Sequence, residues 1–357
     1  MKKIKVVHIS RGFEDYVLAL LSTLGSEVDL YQVLAEADEW MAEEIPGDVT
    51  IVRSGGKRVS NISNFFTTLR LFWKIKKITP DVIHIQNGVV WEGIMVLAFP
   101  FTPKVVTVHD VTKHPTQSFR LLTPQFFLDY VVSRASSIIV HGEKLKEKAR
   151  SYYKTKADIH VVQHGVITRY GCGVARHSPG TNVLLFGSID KWKGIEYLVK
   201  AEPLIREKIP NLKIKICGGC KDPKYYQGLL ADGQNIEMDL VRQTNDGVNS
   251  LFKWADVIVL PYIEASQSGV LNLAINYCLP AVVTDVGSLT DIIEDGVNGA
   301  VAESRDHAML ARKVIQLLED ESLRKKVVNN LKAMKSGEQG RDMISLKTKK
   351  VYLGVLG

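Results

Sequence analysis

The chain has 357 residues, enough for two domains, and its 45% hydrophobic and 24% charged residues are ordinary for a soluble globular protein. Lysine and arginine outnumber aspartate and glutamate by 46 to 39, which gives a net charge of +7. This moderate excess fits an anionic ligand or a membrane surface. Without a clustered basic patch and a motif, it does not predict binding of nucleic acid.

The ends and cysteines of the chain bear on its location. Residues 1–10 run straight into a strand pattern, so we expect no secretory signal, and no run reaches the roughly 18 apolar residues of a membrane span. Four cysteines in a chain of this length do not predict a disulfide framework. We therefore expect a reducing, cytoplasmic environment.

Strand patterns alternate with helical patterns from the start of the chain. A helical pattern covers residues 16–24, and strand-like apolar runs occur at residues 4–9, 28–33, 49–52, 82–85, 104–108 and 137–140. Alternation of this kind predicts a parallel, doubly wound sheet. We assign residues 1–165 to this first, Rossmann-like domain.

A loose, glycine-containing segment at residues 166–181 predicts a domain linker, after which the pattern starts again. The predicted strands are residues 183–186, 212–217, 257–260 and 281–284, and the predicted helices are 195–208, 247–254 and 269–278. The second domain is predicted at 166–339, and 340–357 is predicted as a helix that returns to the first domain. The fold class is therefore α/β, with two doubly wound domains and a cleft between them that suits a ligand.

The turn between the strand at 257–260 and the helix at 269–278 is the centre of the predicted site. Pro261 ends the strand, and a polar turn follows at residues 264–269. The N-terminus of the next helix offers free backbone N–H groups and the positive end of the helix dipole, while Gly269 allows close approach of a ligand. Ligands of open α/β sheets bind at this edge, so the turn predicts a phosphate site.

A second turn of this kind opens the second domain. Gly187 ends the first strand, and Lys193 lies at the start of the helix that follows. Lys193 would put a point charge where a diphosphate meets the turn at Ser268 and Gly269. A single lysine is most often a surface residue, but two phosphate-binding turns on one domain strengthen the prediction.

The second half resembles the donor-binding domain of retaining GT-B glycosyltransferases of the family-four type, also called group 1. The segments that carry this resemblance are FGSIDKWKGIEYLVKA (186–201), ADVIVLPY (255–262), SQSGVLNLA (266–274) and TDVGSLTDIIEDGVNGAVAES (284–304). The first half resembles the same family more weakly, through DVIHIQNG (81–88), VTVHD (106–110) and VVQHG (161–165). The helix at 340–357 resembles the family's crossover helix. The resemblance implies that the first domain, residues 1–165, binds the acceptor and that the second, residues 166–339, binds the nucleotide-sugar.

The resemblance implies roles for individual residues. Lys193 matches the lysine that contacts the donor diphosphate, and Gly187 matches the glycine of the first turn. His109 matches a histidine of the first domain that faces the transferred sugar across the cleft. The turn that receives the distal phosphate and the sugar matches Ser268, Gly269, Val270 and Leu271.

Several positions depart from the family pattern. The family's two glutamates, which contact the sugar and the ribose, are replaced here by Ser266 and Ala274, and Ser188 replaces an arginine of the first turn. Glu264 and Asn272 are nearby polar candidates for the missing contacts. Gln267 belongs to a Gln-Ser-Gly-Val turn that some relatives share, which indicates a variant subgroup.

The N-terminal glycine-rich loop is short. Arg11 and Gly12 follow the first strand, and we expect Arg11 either to meet a phosphate or the acceptor or to be an ordinary exposed loop arginine.

The function implied by the resemblance is transfer of a sugar, with retention at the anomeric carbon, from a nucleotide diphosphate-sugar to a glycan or lipid-linked acceptor. The donor is a co-substrate, with uridine as the expected base, and no other cofactor is expected. The sequence has no Asp-x-Asp pair to carry a divalent metal, so we predict a metal-independent enzyme.

The sequence also allows three other functions. Loss of both glutamates would fit a non-catalytic subunit that binds a partner glycosyltransferase. A nucleotide-sugar 2-epimerase shares the architecture, although the family-four turns argue against it. A nicotinamide dehydrogenase is disfavoured because the first turn lacks G-x-G-x-x-G spacing.

The helical pattern at 61–78 combines an apolar face with a basic one, which is typical of an ordinary sheet-packing helix with snorkelling lysines. The same pattern also allows a helix that lies on an anionic membrane surface. If this helix binds a membrane, we expect a lipid-linked glycan acceptor, peripheral association with the inner face of the cell membrane, and a role in surface polysaccharide assembly.

Overall fold

A computed structural model of the chain describes residues 3–10, 12–54, 63–86, 96–112, 125–165, 167, 169–171, 173, 180–230, 234–337 and 341–357. The chain forms two compact units. The first combines Met1–Gly165 with Arg341–Gly357, and the second is Val166–Gly340. Each contains one parallel sheet flanked by helices, so the predicted fold class, α/β with two doubly wound domains, is confirmed.

A parallel sheet forms the centre of the first unit. Its strands are Lys5–Ile9 (β1), Asp29–Leu34 (β2), Thr50–Arg53 (β3), Val82–Gln86 (β4), Lys104–Thr107 (β5), Ser137–Val140 (β6) and Asp158–Val161 (β7). They lie in the order β3-β2-β1-β4-β5-β6-β7. Sheets of this type are covered on both faces, which explains why β4, β5 and β6 are buried at every position.

Helices cover the two faces of this sheet. They include Glu14–Glu27 (α1), Ser63–Ile78 (α2), Gln125–Ser133 (α3) and Glu143–Tyr153 (α4), and a 3-10 helix covers Glu36–Glu43. Leu71 of α2 and Leu128 of α3 belong to one core cluster with Val7, whereas Leu20 of α1 belongs to another with Val6. Neighbouring residues of β1 thus face opposite sides, as the period of a strand requires.

The second unit repeats this plan. Its strands are Asn182–Phe186 (β8), Lys213–Cys217 (β9), Ile236–Asp239 (β10), Val257–Leu260 (β11), Ala281–Thr284 (β12) and Ala300–Ala302 (β13). Its helices are Ile195–Lys208 (α5), Pro223–Gln227 (α6), Asn245–Trp254 (α7), Gly269–Asn276 (α8), His307–Glu319 (α9) and Glu321–Ser336 (α10), with 3-10 helices at Lys191–Lys193 and Gly287–Asp291.

The strand order of the second sheet positions the candidate site. The order is β10-β9-β8-β11-β12-β13, so β8 and β11 are neighbours although two strands separate them along the chain. The chain adds strands on one side of β8 and then on the other, so the strand order reverses between β8 and β11. The loops that follow these two adjacent strands therefore lead to opposite sides. Open α/β sheets bind ligands in the crevice that such a reversal creates.

Some local details differ from the sequence prediction. Strands β10 and β13 were not predicted, because β10 has alternating charged residues and β13 has only three residues. The helix predicted at 269–278 ends at Asn276, and Cys278 has a positive φ of 50°. The helix predicted at 247–254 begins two residues earlier, because the Thr244 side chain caps it by accepting from the Gly247 N–H.

The closing helix, Arg341–Leu356 (α11), is part of the first unit and packs against α1. Tyr352 is fully buried, and its hydroxyl lies 2.6 Å from Nδ1 of His84, whose Nε2 lies 2.7 Å from the Thr107 hydroxyl. Lys349 on the same helix forms an ion pair of 2.7 Å with Glu27 of α1. The C-terminal helix therefore completes the core of the first unit.

Among the described residues, none of the helices has both the length and the apolar character needed to cross a bilayer.

We predict that Tyr352→Phe lowers the free energy of unfolding by about 1–3 kcal/mol, because the buried His84 nitrogen loses its partner. Urea denaturation of both proteins measures the change. Tyr225→Phe is the matched control, since Tyr225 is 44% exposed, and it should leave stability within about 0.5 kcal/mol of the wild type. Equal stability of Tyr352→Phe and wild type would contradict the role given to this contact.

Candidate functional site

The candidate site is built from the loops that follow β8 and β11. Gly187, directly after β8, has a φ of +116°, which side chains other than glycine rarely adopt. A Cβ at Gly187 would lie 3.0 Å from Cγ2 of Val270 and 3.7 Å from Nζ of Lys193. Gly187 and Lys193, predicted from one segment, therefore meet Val270, predicted from another.

Lys193 is the central charged group of the site. It is only 4% exposed, and its Nζ donates a hydrogen bond of 2.5 Å to the Tyr262 hydroxyl. The same Nζ lies 3.9 Å from the ring centroid of Tyr262 and 4.3 Å from that of Trp192. Burial lowers the pKa of Lys193 to about 7, against an opposing effect of Asp190. An anion bound at Nζ would favour the charged form and reverse this shift.

Local geometry fixes Lys193 in this position. The Asp190 side chain accepts from the Lys191 N–H at 2.7 Å and caps the 3-10 helix that contains Lys193. Gly194 ends that helix with a φ of 65°, and a Cβ there would lie 2.0 Å from the Pro261 carbonyl oxygen. The loop after β8 is therefore held against the end of β11, and only glycine fits at the contact.

Ser268 connects Lys193 to the N-terminus of α8. Its hydroxyl accepts from the Leu271 N–H at 3.2 Å and lies 3.3 Å from the Tyr262 hydroxyl. Because an ammonium can only donate, the Tyr262 hydroxyl accepts from Lys193 and can donate onward to Ser268. The first N–H groups of a helix have no partner within the helix, so this arrangement presents donors and a positive dipole end beside Lys193.

Three buried side-chain oxygens near the turn have no hydrogen-bond partner among the described residues: those of Gln267 (Oε1), Asn272 (Oδ1) and Ser288 (Oγ). The Asn272 amide donates to the Ser268 carbonyl at 3.0 Å, and the Ser288 N–H donates to the Ser266 carbonyl at 3.2 Å. Buried polar groups without a partner are rare in native proteins. They mark these side chains as candidates for contact with a polar ligand.

The other residues predicted to bind the nucleotide-sugar differ in exposure. Ser188 and Glu264 are exposed, Gly269 and Val270 are half-buried, and Leu271 is fully buried. Leu271 therefore contributes to the site through its backbone. Tyr262 was not identified from the sequence as a site residue. Its position two residues after β11, the strand next to β8, is the signal that could have revealed it.

His109 lies in the first unit and is completely buried. Its Nε2 is 3.2 Å from Oε1 of Gln86, and its Nδ1 is 3.1 Å from Nε2 of His141. The Phe13 ring stacks on it with 3.7 Å between centroids and 5° between planes. Burial, followed by the effect of neighbouring histidines, holds the pKa of His109 well below its usual value, so the ring is neutral at pH 7.

The loop before α1 covers the His109 ring. Phe13, which stacks on it, has a positive φ of 57°, and Gly12 is exposed with a φ of 76°. Arg11 lies outside the described residues. A hydrogen bond between His109 and a sugar would require one ring nitrogen to give up its contact with Gln86 or His141, in addition to movement of the Phe13 ring.

Both halves of the chain match models of glycosyltransferase families. Residues 180–320 match the family described as "Glycosyl transferases group 1", and residues 11–170 match "Glycosyltransferase Family 4". An uncharacterized glycosyltransferase of Methanocaldococcus jannaschii is 29% identical over 231 residues, which is 60% of this chain and 59% of that protein. A D-inositol 3-phosphate glycosyltransferase of Salinispora arenicola is 29% identical over 41% of this chain and 35% of its own. The matched region thus spans less than two thirds of these relatives.

Solved structures share the whole fold at low sequence identity. Anabaena HepE in complex with UDP and glucose has a TM-score of 0.74 and 14% identity, and it covers 98% of this chain and 100% of its own. Sucrose-phosphate synthase from Thermosynechococcus elongatus has a TM-score of 0.76 and 17% identity over 99% of each chain. At these identities, the likeness establishes a common fold.

We predict that one lysine ionises near pH 7 and that this lysine is Lys193. Lysine-selective NMR that follows Nζ and the neighbouring Cε as the pH changes measures the midpoint of the titration. The spectrum of Lys193→Arg assigns the signal. A phosphate-bearing ligand should move the midpoint upward, because its charge stabilises the ammonium. If every lysine titrates above about pH 9.5, near the ordinary value, the burial of Lys193 is wrong.

Proposed function

The chain belongs to the group 1, family-four type of GT-B glycosyltransferases, and on this premise we propose that it transfers a sugar from a UDP-sugar to a glycan or lipid-linked acceptor. The observation that carries the proposal is the buried Lys193 ammonium, which contacts Tyr262 beside the Ser268-capped N-terminus of α8. The uridine base is supported by a structural neighbour, Anabaena HepE, which was solved with UDP.

The diphosphate of the donor is the part that Lys193 suits best. A buried ammonium without a counter-ion is costly, and a diphosphate would supply the opposite charge. The helix N-terminus adds backbone donors and a partial positive charge on the same site. Stabilisation of the charge that develops on the leaving diphosphate is the contribution that these groups would make to catalysis.

The proposed reaction retains the configuration of the anomeric carbon and uses no divalent metal. The leaving phosphate oxygen would accept the proton of the acceptor hydroxyl on the same face of the sugar, so the protein need not supply a nucleophile. Lys193 would do the work that a metal does in enzymes with an Asp-x-Asp pair. On the resemblance, His109 would orient the sugar, which requires Phe13 to leave the ring and one ring nitrogen to exchange its contact with Gln86 or His141 for a sugar hydroxyl.

The missing glutamates favour one other function. Ser266 and Ala274 cannot accept hydrogen bonds as carboxylates do, which supports a non-catalytic subunit. The unpartnered oxygens of Gln267, Asn272 and Ser288 support the enzyme instead, since they could accept hydrogen bonds from sugar or ribose hydroxyls. Incubation with UDP-sugars and a mixed glycan acceptor separates the functions: transfer requires the acceptor, a 2-epimerase releases UDP without one, and a non-catalytic subunit does neither.

We predict that UDP binds without metal and that Lys193→Ala weakens its affinity by about 10- to 100-fold, the value of a charge-assisted hydrogen bond. Isothermal titration calorimetry with UDP, GDP and ADP, with and without magnesium, measures both effects and identifies the base. Lys191→Ala is the matched control, because Lys191 lies two residues away and is exposed. Unchanged affinity in Lys193→Ala would remove this residue from the donor site.

The affinity for UDP should depend on pH. Lys193 is charged below its pKa of about 7 and neutral above it, so affinity should fall as the pH rises from 7 to 9. Calorimetry at pH 8 in buffers of different ionisation enthalpy should show uptake of a proton on binding.

We also propose that α2 binds the surface of an anionic membrane and so brings the enzyme to a lipid-linked acceptor. Phe66, Leu69 and Trp73 on this helix are 64%, 45% and 52% exposed, whereas Leu71 and Ile75 are buried. The exposed apolar side chains alternate with exposed basic ones: Arg70, Lys74, Lys76 and Lys77. Nζ of Lys76 lies 5.0 Å from the ring of Trp73. A large aromatic exposed among cations suits the interface of an anionic bilayer.

We predict that the protein sediments with anionic phospholipid vesicles at low salt and less with neutral ones. Trp73→Ser should weaken this binding by about tenfold or more, because a buried aromatic contributes roughly 1.5–3 kcal/mol. Phe126→Ser is the control, since Phe126 is 61% exposed on a different helix. Equal sedimentation of wild type and Trp73→Ser would exclude α2 as the membrane contact.

A further inference from the structure

Three histidines lie together at the carboxyl edge of the first sheet. His109 follows β5, His141 follows β6 and His164 follows β7, and these three strands are neighbours in the sheet. All three side chains are buried, and each offers a ring nitrogen within 4.8 Å of the others. The Tyr16 ring packs against all of them, with centroid distances of 4.5 to 5.0 Å.

The proton on the His109 ring is fixed by a chain of hydrogen bonds that begins at a backbone carbonyl. The Gln32 amide nitrogen donates to the Val33 carbonyl, so its Oε1 accepts from Nδ1 of His8 at 2.5 Å. Nε2 of His8 then accepts from the Gln86 amide at 2.9 Å. The Gln86 Oε1 consequently accepts from Nε2 of His109. In the neutral His109 ring, Nδ1 therefore carries a lone pair.

The proton on the His141 ring is fixed in the same way. Its Nδ1 lies 2.8 Å from the carbonyl oxygen of Val162, which can only accept, so Nδ1 carries the hydrogen. Nε2 of His141 then also carries a lone pair. That atom lies 3.1 Å from Nδ1 of His109, so two lone pairs face each other unless a cation lies between them.

His164 decides which cation fits. It is 5% exposed, and neither of its ring nitrogens has a hydrogen-bond partner among the described residues. A proton shared by His109 and His141 would leave His164 without a partner. A metal ion bound by all three rings would engage Nδ1 of His109, Nε2 of His141 and one of the two nitrogens of His164, whose other nitrogen would stay without a partner among the described residues.

We propose that His109, His141 and His164 bind a transition-metal ion, with Zn²⁺ favoured, which ties together the carboxyl ends of β5, β6 and β7. Imidazole nitrogens suit zinc, whereas magnesium and calcium prefer oxygen ligands. In a tetrahedral zinc site the nitrogen ligands are about 3.3 Å apart, close to the 3.1 Å between His109 and His141. One position of the ion remains for a further ligand.

The contacts of the ring nitrogens on the far side fit this proposal. Ligand histidines usually donate their other N–H to a carbonyl or an amide, which fixes the ring and the tautomer. His141 does so to Val162, and His109 does so to Gln86. The carboxylate of Asp110 acts electrostatically on His141 and adds negative charge near the ion. This site belongs to the first unit, whereas the metal-independent diphosphate site is proposed in the second. Because Nδ1 of His109 would bind the ion and its Nε2 already donates to Gln86, a metal-bound His109 could not also hydrogen-bond the sugar, and the zinc measurement decides between these two roles of His109.

The test uses the full chain without a histidine tag. The protein is stripped with a chelator, given excess zinc and dialysed, and its zinc content is measured by mass spectrometry. We expect about one zinc per chain in the wild type and in His160→Ala, a histidine of β7 outside the cluster. His164→Ala and His164→Gln should bind zinc at least about tenfold more weakly. Cobalt in place of zinc should give the visible absorption of a tetrahedral site in the wild type.

Two results would overturn the proposal. One is a folded wild type that retains no zinc or cobalt after dialysis, and the other is zinc retained equally by either His164 variant. NMR of the metal-free wild type adds a check that needs no variant. If the His141 ring carries a proton on both nitrogens at pH 8, a proton and not a metal ion stabilises the contact between His141 and His109, which also contradicts the proposal. Because none of these measurements uses nucleotide, failure here would leave UDP binding untouched, and failure to bind UDP would leave the zinc result untouched.

Discussion

The buried ammonium of Lys193 is the constraint on which the candidate donor site depends. Burial alone would favour the neutral form of the Lys193 side chain. The Tyr262 hydroxyl and the faces of two aromatic rings contact Nζ and stabilise the charged form. Tyr262 in turn contacts Ser268, the cap of α8. A ligand that brings negative charge to Nζ would therefore act on the lysine, the tyrosine and the helix terminus together. This coupling is the physical reason to assign a diphosphate to the site.

Sheet topology explains how distant parts of the sequence meet in both units. In the second unit, the reversal of strand order between β8 and β11 brings Gly187 and Val270 into contact. In the first unit, the adjacent ends of β5, β6 and β7 bring three histidines together. The two sites differ in kind, since one offers positive charge to an anion and the other offers lone pairs to a cation. A donor diphosphate and a histidine-bound metal can therefore coexist in one chain.

Much of the fold could be predicted from the sequence, because buried parallel strands are continuous apolar runs and glycine or proline marks their ends. Lys193 and the Ser268 turn could be predicted for the same reason, as they lie in the connections between such strands and the helices that follow them. Strand β10 could not, since its pairing is imposed by β9 rather than by its own apolar content. The burial of His109 under Phe13 and the role of Tyr262 depend on side-chain packing between segments far apart in sequence, which periodicity does not encode.

A crystal structure of the chain soaked with UDP, without divalent metal, tests the central claim most directly. The account predicts the distal phosphate within hydrogen-bond distance of Nζ of Lys193 and of the first backbone N–H groups of α8, with the Tyr262 hydroxyl still in contact with Ser268. A diphosphate bound elsewhere in the chain, or density for UDP only in the presence of a metal ion between the phosphates and a carboxylate, would contradict it.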